Sequence, residues 1–408
     1  MNPKLDFLPV GGGLAGAKAA QALRDDGFQG AITLVGDESL RPYLRPPLSK
    51  DYLQGKVERE TTFVHPPNWY VDHDVELVLG VAAAALDPLT HQVRLADGRR
   101  VRYDKVLLCT GSSPRLLELP GANLQGVHYL RRMQDSELIK AAFARSSQVV
   151  IVGAGWIGLE TAAAARAAGL DVTVLENAAL PLVRVLGSEV AEVFADLHRE
   201  YGVDLRCNVE VQSLTGDAGR VTAVRLGDGT VIPTDMVIAG VGITPNVSLA
   251  REAGVQVKDG IVVDEHLQSS DPDVFAAGDV ANAYNRHLRR HIRVEHWANA
   301  EHQPAIAAMS MMGRSAIYDR LPFFYSDQYD LGLEYTGYAE PGEYEQVVFR
   351  GDVQAREFIA FWLSGGRVLA GMNVNIWDVS EQITDIITSG KPVQVDRLTD
   401  AGVPLEDV

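Results

Sequence analysis

The sequence predicts an α/β protein: two doubly wound units in tandem, then a separate α+β domain at the carboxyl end. Two stretches carry most of this. VGGGLAGAKAAQALRDDGFQGAITLVGD (10–37) and IVGAGWIGLETAAAARAAGLDVTVLEN (151–177) each read as strand, glycine turn, helix and second strand. Alternating β and α with glycines after the first strand describes a doubly wound unit. Two such blocks so far apart are a duplication of architecture, not a short solenoid repeat. The third observation is a change of texture from about 320, where PFFYSDQYDLGLEYTGY, YEQVVFRG and FIAFWLSGGRVLAGMNVN are aromatic and strand-like.

In chain order, a strand feeds the first glycine turn, an Ala-rich amphipathic helix runs Gly16–Arg24, and a strand follows at Ala31–Val35. Pro9 falls in the first strand, although its missing N–H normally confines proline to an edge or a bulge. Local irregularity is expected there, or a displaced boundary. RPYLRPPLSKDYLQGKVERE (41–60) reads as a proline-broken loop and then a short helix. Strand-like runs follow at Glu76–Gly80, His91–Leu95 and Lys105–Cys109, the first ending against Val81, expected on the edge of the first site. The second block repeats the order with strand QVVIVG, helix Leu159–Ala168 and strand DVTVLE, and then an antiparallel-looking set including VTAVRLGDGTVI.

Composition narrows the function classes. Of 408 residues 46% are hydrophobic and 22% charged, so a folded chain of two or three domains is expected. No apolar run approaches the roughly 20 residues of a membrane helix. The stretch MNPKLDFLPV lacks a signal pattern, so a soluble cytoplasmic protein is expected. A net charge of −17 argues against general nucleic-acid binding. Two cysteines, Cys109 and Cys207, cannot staple a chain of this length. The histidines at 287, 291, 296 and 302 lack cysteine or carboxylate at ligand spacing, so no metal is expected.

Gly11-x-Gly13-x-x-Gly16 and Gly153-x-Gly155-x-x-Gly158 suit dinucleotide phosphates. The first glycine makes the tight turn, the second lets backbone approach a pyrophosphate, and the third lets helix pack on strand. The confirming context is an acid at the end of the next strand, able to take ribose hydroxyls. Glu176 occupies that slot in the second block. In the first, Gly36 stands there and Asp37 or Glu38 follows, with Asp37 preferred.

These turns, with RPPLSK (45–50), CTGSSPR (109–115), GLE (158–160), GITPN (242–246) and VFAAGDV (274–280), resemble the flavoprotein reductases of oxygenase systems. That group has a glutathione-reductase-like fold of two Rossmann-like domains, with apoptosis-inducing factor a distant cousin. The resemblance implies FAD in the first site and NADH in the second. It implies a discontinuous FAD domain at 1–112 and 245–318, an NAD domain at 113–244, and a C-terminal α+β domain at 319–408. Asp279 resembles the aspartate that bonds the ribityl chain of FAD, and Arg45 and Arg131 the arginines on its phosphates or ring edge. Val81 would offer backbone to the adenine. Lys50 would meet Glu160 beside the flavin N5, stabilising charge that develops on reduction. Trp156 would gate the nicotinamide pocket and Trp297 line the flavin. Glu176 implies NADH over NADPH, with Arg184 moderating the preference.

Disulfide reductases of this fold keep a cysteine pair where this chain reads RPPLSKDY, and no cysteine precedes Cys109. Thiol relay is excluded, and Cys109 reads as a packed small side chain. Electrons arriving as hydride must leave outward, singly, which suits an iron–sulfur ferredoxin or a rubredoxin feeding an oxygenase. Two alternatives stand beside this: reduction of a small acceptor such as a quinone or monodehydroascorbate, and a redox sensor like apoptosis-inducing factor. An acidic partner is expected to dock near Arg286, Arg289, Arg290 and Arg293 in YNRHLRRHIRVEHW.

Overall fold

A computed structural model describes residues 5–408. The leading MNPK, part of the stretch read for a signal pattern, lies outside the described residues. The chain divides into two units. One comprises the chain up to Leu44, Arg59–Ser113 and Thr244–Pro322. The other comprises Arg45–Glu58, Pro114–Ile243 and Phe323–Val408.

The first unit is built on a five-stranded parallel sheet in the order Val274–Ala276, Lys105–Leu108, Asp6–Val10, Ala31–Val35 and Val75–Val78. Its strands are near-continuous apolar runs because both faces of a parallel sheet are buried, here in a core shared with the helices and with Leu86, Val93 and Leu95. Helix Leu14–Asp25 lies on it, with Ala17, Ala20 and Leu23 wholly buried. Helix Trp297–Met311 packs beside it, and a Lys18–Glu301 ion pair of 2.6 Å joins the two. Pro9 sits in the central strand. Its Cα pairs with Leu107, but the register with Ala31–Val35 passes from Phe7 to Val10 without it, which is the local irregularity a proline requires. A small antiparallel sheet, Ala83–Asp87, Gln92–Leu95 and Arg100–Arg102, lies between the strands Val75–Val78 and Lys105–Leu108 in the chain.

The second unit repeats the plan. Its parallel sheet runs Asp204–Arg206, Asp171–Leu175, Gln148–Val152, Met236–Ala239 and Val127–Tyr129. Helix Trp156–Ala167 closes on it through a row of buried alanines, 162 to 165, whose small side chains allow a near approach. Beyond Phe323 a five-stranded antiparallel sheet folds around Trp362, which is fully buried and donates Nε1–H to the Leu186 carbonyl at 3.1 Å. Such a side chain contributes roughly 2–3 kcal/mol by leaving water.

Several sequence boundaries move. The two glycine-turn helices begin earlier, at Leu14 and Trp156, because turn and helix are continuous. Segment 41–60 has no α-helix. Prolines hold it to a 3-10 turn at Pro46–Ser49, and a second 3-10 turn follows at Arg59–Thr62. The run 76–80 is a strand only from Val75 to Val78. Among the described residues no helix is long and apolar enough to cross a membrane.

Candidate active site

Both glycine turns have the form a pyrophosphate needs. Gly11 takes φ +135° and Gly153 φ +98°, and a Cβ at Gly16 or Gly158 would lie about 2 Å from the carbonyl oxygen of Gly11 or Gly153. A Cβ at Gly13 or Gly155 would meet nothing within 4 Å, so those positions face open space. Helices Leu14–Asp25 and Trp156–Ala167 start there without a side-chain cap or a first-turn acid. Their first N–H groups and dipole ends are thus open to an anion. The residues present fit two dinucleotides.

The acid slots differ for a physical reason. A Cβ at Gly36 would lie 2.9 Å from the Gly12 Cα, so backbone fills the space where an acid would stand. Asp37, next along, is exposed, while Glu38 accepts from Tyr43 Oη. Val81 donates its N–H to the Gly36 carbonyl at 3.2 Å, which holds it beside the first glycine turn's acid slot. In the second unit Glu176 directly follows the strand Asp171–Leu175 and accepts from Ala154 N–H (2.7 Å) and Ala178 N–H (2.8 Å), which pins the carboxylate at the glycine turn. Arg184 Nη2 donates to Asn177 Oδ1 at 3.1 Å.

Elsewhere in the first unit, Gly278 precedes Asp279 at φ +79° and donates N–H to the buried Gln303 at 2.8 Å. Asp279 is half-buried, and Arg293 Nη1 donates to its carbonyl at 3.4 Å. Trp297 opens its helix half-buried, edge-on to His302 at 6.3 Å. Asn246 of GITPN bonds Thr110 and Ser113 of CTGSSPR, so those two motifs form a joint between chain segments. The arginine-rich stretch is a hairpin, Ala281–Asn285 with Arg290–Ile292. Arg293 is turned inward onto Asp259 and Glu295, and Arg286 pairs with Glu265 at 3.2 Å. Arg289 is exposed at the turn, with φ +52°.

The second unit gathers a polar cluster. Lys50 Nζ stands 3.4 Å from Glu160 Oε1, both largely buried, and lies 4.6 Å from the centre of the Tyr325 ring. Ser49 donates to Glu160 Oε2 at 2.5 Å and Ser326 to Oε1 at 2.7 Å. Burial raises the Asp327 carboxyl above its usual range, against the pull of Lys50. Arg45 Nη1 donates to the Arg131 carbonyl at 2.6 Å, bringing those arginines together. Trp156 is half-buried, wedged edge-on against Phe194 and Phe324. Sequence reasoning missed Ser49, Ser326, Tyr325 and Gln303. Ser49 lay inside the quoted RPPLSK, but Ser326 is 166 residues from Glu160 and no spacing announces it. Burial raises the Cys109 thiol far above its ordinary value, which leaves it unreactive.

Residues 6–303 match the family described as pyridine nucleotide-disulphide oxidoreductase. The chain belongs to that family. Residues 323–408 match a second family, described as reductase C-terminal. The chain is 39% identical to putidaredoxin reductase of Pseudomonas putida, over all of this chain and 97% of that protein. It is 40% identical to the 5,5'-dehydrodivanillate O-demethylase ferredoxin reductase subunit of a Sphingobium, over 100% of this chain and 98% of that one. A crystal structure of the covalent putidaredoxin reductase–putidaredoxin complex superposes with a TM-score of 0.95 at 38% identity, covering 99% of this chain and 98% of that one. The disulphide of the family name has no counterpart here, since both cysteines are free. Among the described residues no group of His, Cys, Asp or Glu stands where it could hold a metal ion.

Proposed function

We propose that this chain is an NADH-dependent, FAD-containing reductase that delivers single electrons to a ferredoxin or rubredoxin serving an oxygenase. The observation that carries the reading is the segment Arg45–Tyr52. It holds a lysine ion-paired to Glu160 and no cysteine, in a chain with two dinucleotide turns. The names of the similar proteins, ferredoxin, rubredoxin and putidaredoxin reductases, support the acceptor class. FAD held there would supply the redox chemistry, taking one hydride, and so two electrons, from NADH and giving them up one at a time.

The rest is the work of this chain's residues. Gly11, Gly13 and Gly16 seat the FAD pyrophosphate, Asp37 its adenosine ribose and Asp279 its ribityl chain. Arg45 and Arg131 balance its negative charge, Val81 borders the adenine and Trp297 lines the ring. Gly153, Gly155 and Gly158 seat NADH, and Trp156 borders its nicotinamide. Glu176 takes the ribose hydroxyls and disfavours a 2′-phosphate, with Arg184 softening that preference. Lys50, held by Glu160, supplies positive charge where negative charge grows in hydride transfer. Arg289 and Arg290 steer an acidic partner. The unpaired cysteines suit a reducing cytoplasm.

Purification tests the reading. The protein should be yellow with about one FAD per chain, be bleached by NADH, and be reoxidised rapidly by a ferredoxin. A folded, colourless protein that takes up no FAD would overturn it. Bleaching without faster reoxidation by ferredoxin or rubredoxin would overturn the acceptor.

A further inference from the structure

The Glu160 carboxylate ends a buried chain of hydrogen bonds whose direction follows from chemistry alone. An ionised carboxylate only accepts, so Ser326 donates to it at 2.7 Å. The Ser326 oxygen then accepts from Gln328 Nε2 at 3.3 Å. That turns Gln328 Oε1 toward His198 Nε2, 2.8 Å away, which must carry the proton. Nδ1 is left as the acceptor, and Tyr329 Oη stands 3.3 Å from it. Burial holds His198 neutral by lowering its pKa to about 4, so a single tautomer satisfies the whole chain. Ser326, Gln328 and His198 are each 1% exposed or less.

Three segments meet in this chain: the strand Phe323–Gln328, the helix Val183–Glu200 and the helix Trp156–Ala167. Glu160 has two oxygens and three groups competing for them. Ser49 holds Oε2, while Ser326 and Lys50 share Oε1. With both serines donating, the carboxylate cannot rotate, and the ammonium is drawn to one oxygen edge. Tyr325 and Asp327 flank Lys50 from the same strand that carries Ser326.

We infer that Ser326 is a positioning residue for the Lys50–Glu160 pair, the last donor of a one-way chain Tyr329–His198–Gln328–Ser326. The carboxyl-terminal sheet thereby sets the direction in which Glu160 holds the Lys50 charge. The inference rests on the reductase reading for its kinetic consequence and on the structure alone for the chain.

Two measurements test it. Stopped-flow reduction at saturating NADH compares Ser326→Ala, Glu160→Gln and the double variant with wild type. Ser326→Ala should lower the limiting rate about tenfold, the low end for one lost hydrogen bond to a charge, with the NADH dissociation constant changed less than about twofold. In the Glu160→Gln background the serine change should cost less than about twofold more, because it acts through that carboxylate. A limiting rate near wild type, or two effects that simply multiply, would overturn the inference. Nitrogen-15 NMR of histidine-labelled wild-type protein should find His198 as the Nε2–H tautomer, and Nδ1–H would overturn the chain even if Ser326→Ala did not fold. A wild-type protein that NADH does not reduce would sink the reductase reading, and the tautomer would still decide the chain.

Discussion

At the scale of the residue, Lys50 and Glu160 show what the site spends on one charge. A largely buried ammonium would lose several kcal/mol of hydration if unpaired. Glu160 and the Tyr325 ring both offset that cost, and on the proposed reading the cation they hold is the one that meets the charge of reduction. Lys50→Met keeps the length and removes the charge. Its limiting rate of flavin reduction should fall about tenfold or more while NADH binding changes little, since the charge develops in the transition state. An unchanged limiting rate would remove Lys50 from the step. His198 sets a separate expectation. Folded, it gains a proton only near pH 4, whereas in the unfolded chain it titrates near 6.5. Between those values the unfolded state binds more protons, so this residue's stabilisation is complete above 6.5 and is lost as pH falls toward 4. The thermal midpoint should therefore decline across that window, and His198→Gln should flatten the decline. An equal slope in both proteins would mean other groups govern it.

At the scale of the element, the glycine turns separate folding from binding. Gly16 and Gly158 are needed by the fold, because a Cβ there collides with backbone at about 2 Å. Gly13 and Gly155 are not, because the same atom would stand in open space. Gly155→Ala should keep its flavin and its thermal midpoint yet raise the KM for NADH roughly tenfold, by blocking the approach of phosphate to backbone. Gly13→Ala should fold but bind FAD more weakly, read as flavin lost on dialysis. Gly158→Ala should lose thermal stability outright. If Gly155→Ala leaves the KM alone, NADH is held elsewhere.

At the scale of the whole molecule, the charge of −17 should repel an acidic iron–sulfur partner. Screening at physiological salt acts within about 8 Å, so a local surface can outweigh the total. The hairpin at 281–292 narrows the candidates. Arg293 is buried against Asp259 and Glu295 and Arg286 is engaged by Glu265, while Arg289 stands exposed at the turn. Changing Arg289 and Arg290 together to Glu should cut ferredoxin reduction severalfold and flatten its salt dependence, with a small uncharged acceptor reduced as before. Arg293→Ala should lower stability more than docking. Loss of both activities together, or of neither, would rule the hairpin out.

The sequence by itself determined the two glycine turns, the strands and helices around them and the acid Glu176, because these are local patterns set by backbone sterics and hydrophobic period. It also showed that no cysteine precedes Cys109, since that is a matter of composition. Tertiary structure decided the rest, through contacts between residues far apart in the chain. It gave Gly36 its place against Gly12, let Pro9 enter a central strand by leaving a gap in one ladder, and turned Arg293 inward. It also brought Ser49 and Ser326 onto one carboxylate from 111 and 166 residues away. A lone serine carries no period and no spacing. Its meaning appears only when folding has buried the acid that needs its hydrogen bond.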